Sequence, residues 1–213
     1  MKSFLLRDVL LIVFNLLPLA LVIDGYWRPF DVMAFYWLEL IAVGFFCTLG
    51  SILSAIYNLG HKNFAAGLSL IMQSVFFPVH FGFFIVMLCF PIGSFLPEGT
   101  PTRMLTDPFI PMIVVIENMP FFEMLPIVMA WQCFNFITQF LITGRYKNDS
   151  PGYIGAAYAS LFVLFASAFF GVLIGMATDN RLWGVIILVV LKTLAAYAAL
   201  HMKRVEKDAE QAT

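Results

Sequence analysis

Three ionisable side chains fall inside long apolar runs: Glu39, His80 and Lys192. A carboxylate, an imidazole and an ammonium are the groups that proteins use for proton transfer, metal ligation and ion pairing. An isolated lysine at the centre of a bilayer costs about 2.5–3.5 kcal/mol on insertion scales, and a nearby carboxylate lowers that cost. Glu39 is the first choice of partner for Lys192 and Glu123 the second. His80 stands two residues after a proline in Phe76-Phe77-Pro78-Val79-His80-Phe81-Gly82. Within a helix, Pro78 leaves the carbonyl of Ser74 without its donor and bends the chain. Gln73 precedes His80 by seven residues and shares its helical face. A second polar set, Gln132, Asn135 and Gln139, is spaced i, i+3 and i+7, which makes one stripe along a helix.

Several chemistries are open to these residues. Glu39, His80 and Lys192 can form a salt bridge and hydrogen bonds that fix helix register, with His80 donating to a carbonyl. They can instead line a polar pocket that binds a ligand. A metal site is the weakest of the three, because one histidine and one glutamate fall short of the three or four ligands that zinc takes. The amide stripe reads either as interhelical hydrogen bonding or as the lining of a polar path. Other chemistries are excluded by pattern. The chain has no Gly-x-Ser-x-Gly elbow, no His-Glu-x-x-His and no P-loop. Ser74 and His80 are six apart and lie on different helical faces, so they form no dyad within that span. Cys47, Cys89 and Cys133 each lie in an apolar run without a Cys-x-x-Cys spacing, and they read as small buried side chains. No basic-aromatic strip points to nucleic acid. A bis-histidine haem between His80 and His201 is disfavoured by their different depths. No catalytic residue, metal or cofactor is therefore assigned.

The elements that must carry these residues are membrane spans. The chain is 62% hydrophobic and 12% charged, with mean hydropathy +0.92. A soluble domain is roughly 45–50% apolar and about 25% charged. The apolar runs predict six spans in one domain over 1–213: about 4–23, 32–58, 64–90, 121–143, 152–176 and 182–202. The first opens on a basic start with Lys2 and Arg7, is apolar from Val9 to Ile23, and has no small-x-small cleavage site at its exit, so it reads as an uncleaved span. Seven of the eleven prolines (91, 97, 101, 108, 111, 120 and 126) fall in or beside a loop over 91–120. The apolar piece 109–116 in that loop is too short to cross, since about 20 residues are needed; it predicts an interfacial or re-entrant segment. In the fifth span, Ser167, Gly171 and Gly175 repeat every four residues, a small-residue stripe that lets another helix approach closely.

Charge orients the bundle. With six spans, Lys2, Arg7, Lys62, Arg145, Lys147, Lys203, Arg204 and Lys207 share a side; only Arg28, Arg103 and Arg181 lie on the other, and Lys192 completes the twelve. The positive-inside bias places both termini in the cytoplasm. Glu39, His80 and Lys192 then fall in the outer half, where they can meet.

At Tyr36-Trp37-x-Glu39 and Phe76-Phe77-x-x-His80-Phe81-Gly82-x-Phe84 the chain resembles an uncharacterised family of bacterial polytopic membrane proteins, a domain of unknown function. The family pattern reads Tyr-Trp-x-Glu, then Phe-Phe-x-x-His-Tyr-Gly-x-Phe and a further His. It continues with Ser-His-x-x-Ser-Phe-x-x-Asn-Phe and Gly-Glu-Tyr, then Lys-Thr-x-x-Asp in the last span with a His beyond. Here the later parts read Trp131-Gln132-Cys133-Phe134-Asn135-Phe136-Ile137-Thr138-Gln139-Phe140, Gly144-Arg145-Tyr146, Lys192-Thr193 and His201. The family's second histidine falls at Leu88, its third at Gln132 and its fourth near Ser160; the last-span aspartate falls at Ala196. The resemblance implies the membrane class and the fold. If the family's histidines bind a metal, this member has lost most of that site, and the resemblance implies no activity.

The expectation is an all-α bundle of six transmembrane helices in a bacterial inner membrane, with both termini cytoplasmic. The leading role is a non-enzymatic transport, binding or assembly module. The alternatives are an intramembrane enzyme or degenerate metal site using His80 and Glu39, and a purely structural subunit. The partners are the lipid bilayer and a second copy or another membrane protein packed on the fifth span, with no nucleic acid.

Overall fold

The computed structural model describes residues 2–93, 95, 110–147, 152–178, 180, 182–195 and 197. The tail beyond 197, with His201, and the whole of 96–109 lie outside the described residues. Every element among those described is helical. In order these are α1 (Lys2–Ile23), α2 (Pro29–Gly60), α3 (Phe64–Gly93), α4 (Ile110–Asn118) and α5 (Phe121–Phe136). A π-helical turn, Ile137–Leu141, continues α5, and a 3-10 turn follows at Arg145–Lys147. α6 (Gly152–Thr178) and α7 (Leu182–Ala195) follow. Four helical stretches are long and apolar enough to cross a membrane: Pro29–Gly60, Phe64–Gly93, Phe121–Leu141 and Ile154–Thr178. Ile12–Ile23 and Leu182–Ala195 are shorter apolar stretches.

The helix ends follow from local chemistry. α1 stops in a Schellman turn: Tyr26 N–H donates to the Leu21 carbonyl at 2.9 Å and Gly25 N–H to Val22 at 3.1 Å. Gly25 supplies the left-handed residue that this turn requires, with φ 74°. α2 then starts on a capping arrangement. Pro29 takes the first helical position, where its missing N–H is harmless, and Asp31 reaches back to accept the Arg28 backbone N–H at 2.8 Å. The same carboxylate accepts two bonds from the Arg28 guanidinium, at 3.0 and 2.7 Å. Asp31, chiefly through that hydrogen bond and against partial burial, raises the pKa of Arg28. α2 ends in the same motif as α1, with Asn63 N–H to Asn58 and Lys62 N–H to Leu59, but here a lysine takes the left-handed position at φ 61°.

The chain forms two compact units, one of residues up to Met33 with those from Val163 onward, the other Ala34–Phe162. In the second, α2 and α3 pack antiparallel. Gly67 lies against Leu59, and a Cβ on Gly44 would come within 2.9 Å of the Phe81 ring. Trp37 is buried and its indole N–H donates to the Ile85 carbonyl at 2.9 Å. α4 packs on α3. α5 meets α2 through Phe46–Phe136, with ring centroids 5.2 Å apart, and the 3-10 turn meets it through Tyr57–Tyr146, at 5.4 Å. In the first unit, α6 and α7 touch backbone to backbone at Gly171 and Gly184. The outward face of α3 is apolar: Leu68, Met72, Phe76 and Val79 are all more than 60% exposed. A helix that is apolar around its whole girth suits lipid rather than water.

α2 and α3 outrun the apolar windows read from sequence. α2 covers 29–60 where 32–58 is predicted, and α3 covers 64–93 where 64–90 is predicted. Apolar composition marks the hydrocarbon-embedded part, whereas caps and turns set the helix ends. Pro78 and Pro91 lie within α3 without ending it.

Candidate functional site

The Tyr36-Trp37-x-Glu39 segment lies on a part of α2 that is buried on every side, Phe30 through Leu40. Trp37 fixes its rotation through the bond to Ile85. Glu39 is 9% exposed, and its Oε1 accepts a hydrogen bond from Gln132 Nε2 at 3.2 Å, across from α2 to α5. Farther along α5, Gln139 Nε2 donates to Asn135 Oδ1 at 3.0 Å, within the helix. Gln132 thus bonds across to α2, while Asn135 and Gln139 bond to each other along one face of the helix. A π turn at Ile137–Leu141 includes Gln139. Such turns are frequent at functional sites.

His80 has a different neighbourhood. It is exposed, and its Nδ1 lies 2.7 Å from the Tyr158 hydroxyl of α6. Its ring stacks on Phe76 with centroids 5.3 Å apart and meets Phe84 edge-on at 5.1 Å. Tyr158 in turn sits edge-on against Phe77 and Phe81, at 5.6 and 5.7 Å. Glu39 is hydrogen-bonded to Gln132 and His80 to Tyr158. Lys192 is half-buried on α7, in the first unit. Among the described residues no group of three or more His, Cys, Asp or Glu could hold a metal ion.

In the fifth-span stripe, Ser167, Gly171 and Gly175 are all buried. The close neighbour at Gly171 is α7 of the same chain: a Cβ there would lie 3.0 Å from the Gly184 Cα. Ser167 Oγ is buried without a hydrogen bond among the described residues.

Sequence reasoning passed over Tyr158, the Arg28–Asp31 cap and the π turn. Tyr158 carried a usable signal. It is the only tyrosine between Ile154 and Thr178, and a phenol in an apolar run needs a partner. Counting residues from the preceding turn concealed it, because α3 is 30 residues long, about 45 Å, against a hydrocarbon core of about 30 Å. Depth counted from a helix end is then offset by the part that lies outside the core.

No curated protein and no solved structure matches the chain. The model of a family of unknown function, DUF6498, matches residues 3–213, and the chain belongs to that family.

Proposed function

We propose that the chain is a multi-pass bacterial inner-membrane protein of six spans, with both termini cytoplasmic, that binds a small cationic or polar group at Glu39 and carries out no covalent chemistry. α1 and α7 would supply the two spans beyond the four long apolar helices. The separation of Lys and Arg between the two sets of turns supports the orientation, which puts Glu39 in the outer half. One observation carries the ligand reading: the buried Glu39 carboxylate is held by the neutral amide of Gln132 at 3.2 Å between two long apolar helices. That bond orients one carboxylate oxygen at the seam of α2 and α5, and an oriented carboxylate is a strong acceptor for a cationic or polar hydrogen-bond donor. The enzyme reading requires His80 and Glu39 to act as a pair, and the bond from His80 to Tyr158 gives it no support.

The test uses purified protein in detergent with sodium, potassium, ammonium or methylammonium, each added alone. A ligand present at 100 times its Kd stabilises by about 2.7 kcal/mol, a rise of several degrees in Tm for a chain of this size. The expected result is such a rise with one probe, abolished in Glu39→Gln and reduced in Glu39→Asp. If none of the four shifts Tm and Glu39→Gln melts like the parent, the reading is wrong.

A further inference from the structure

His80 and Tyr158 form a second polar pair, made of other residues than Glu39 and Gln132. Together they own two hydrogen-bonding protons, one on a neutral imidazole and one on the phenol. Their mutual 2.7 Å bond uses one of them. In either tautomer the other proton remains to be given, by Nε2 if the phenol donates, or by the hydroxyl if Nδ1 donates. Among the described residues neither side chain makes a second hydrogen bond. His80 is exposed, and the neighbouring outward residues Phe76, Val79 and Phe83 are apolar. In a water-poor setting a donor left unmet is unfavourable, so this pair suits a ligand that brings an acceptor to it.

The position restricts that ligand. His80 is sixteen residues from Phe64 and thirteen from Gly93, so about 24 and 20 Å of helix lie on either side of it. Phospholipid ester carbonyls stay at the edge of the hydrocarbon, about 15 Å from its middle. A molecule soluble in the core can bring an acceptor to this depth. The walls are flat: the imidazole stacked on Phe76 at 16° with the Phe84 edge beside it. We propose that His80 and Tyr158 form a binding site for the head group of a quinone-type lipid. The ring would lie against the Phe76–His80 stack, a ring carbonyl would accept the remaining proton, and the apolar tail would stay in lipid. Tyr158 is a positioning residue in this scheme, since it fixes the imidazole through Nδ1.

The experiment titrates a short-tailed 1,4-benzoquinone into the full chain in lipid nanodiscs, with empty nanodiscs as baseline, and follows the infrared carbonyl band of the probe. Saturable binding with a carbonyl band moved to lower frequency is expected. His80→Phe keeps the ring and removes the donor; it should weaken binding about tenfold and abolish the band shift. Tyr158→Phe should weaken binding less, and His80→Gln, which keeps an N–H, should restore part of the band shift. Unchanged Tm in the variants certifies their fold. Binding no better than to empty nanodiscs, or a band shift that survives His80→Phe, overturns the proposal. So does efficient disulfide cross-linking of His80→Cys to a second copy in membranes, because a protomer would then cover this face.

Discussion

Gly184→Ala isolates one contact between α6 and α7. A Cβ at residue 184 would lie 2.9 Å from the Gly171 Cα, 3.0 Å from its carbonyl oxygen and 3.1 Å from its carbonyl carbon. All three atoms are backbone, so no rotamer change can make room. Ordinary Cβ contacts begin near 3.4 Å, and the two helices must part by about half an ångström or more. In lipid, helix association rests on close packing and interhelical bonds, without the hydrophobic drive that water supplies. Overpacking of this kind typically costs about 1–3 kcal/mol. Alanine's better helix propensity returns up to about 1 kcal/mol, so a net loss of about 1–2 kcal/mol is expected. Gly171→Ala meets the same backbone from the other side at 3.0 Å. One separation accommodates both methyl groups, so the double variant should lose less than the sum of the singles. Gly155 on the same helix has nothing within 4 Å of its Cβ position, and Gly155→Ala should be neutral or stabilising by up to about 1 kcal/mol. The assay is reversible denaturation with an anionic detergent in mixed micelles, followed by circular dichroism. Equal stabilities for Gly184→Ala and Gly155→Ala would refute the reasoning, as would fully additive losses at 171 and 184.

Other expectations can be checked in the same assay. Gln132→Leu removes the bond to Glu39 and should destabilise by about 0.6–2 kcal/mol, the range for interhelical hydrogen bonds in membranes; no loss would mean that the 3.2 Å contact is energetically idle. Trp37→Phe deletes the donor to Ile85, a loss of about 0.5–1.5 kcal/mol for the bond alone, read against Trp37→Tyr as a size control. Lys62→Gly relieves a left-handed lysine at φ 61° and should stabilise by about 1 kcal/mol, whereas Lys62→Ala should not. Asp31→Ala removes the cap of α2 and should cost about 1 kcal/mol; Asp31→Asn should recover part of that, because an amide oxygen still accepts the Arg28 N–H.

The helical class and the apolar runs were readable because composition and run length report directly on the surrounding solvent. The Gly171 stripe was readable as a close approach, but its partner was not: a small side chain signals that something comes near without naming it, and here it is Gly184 of the next helix. Glu39 and Gln132 each stood out as polar groups in apolar runs, yet their pairing depends on how α5 is rotated against α2, which sequence spacing does not encode. The i, i+3, i+7 rule assumed a continuous α-helix through Gln139, and the π turn breaks that assumption. His80 was assigned neighbours by depth alone. Depth constrains one coordinate, and the side of the helix is the other, which is how Tyr158 came to hold it.

The length of α2 and α3 has a consequence for where the protein is comfortable. At 32 and 30 residues they run about 48 and 45 Å, which is close to the 40–45 Å between the outer edges of the head-group layers once a tilt of about 20° is allowed. A hairpin of this length suits the whole thickness of a bilayer, and in one it would bring its His61-Lys62-Asn63 turn to the water boundary. Thinner membranes would force a steeper tilt, local thickening of lipid, or clustering of copies. The same sequence would therefore partition toward thicker lipid regions, so that bilayer thickness would help decide where in a cell this chain accumulates.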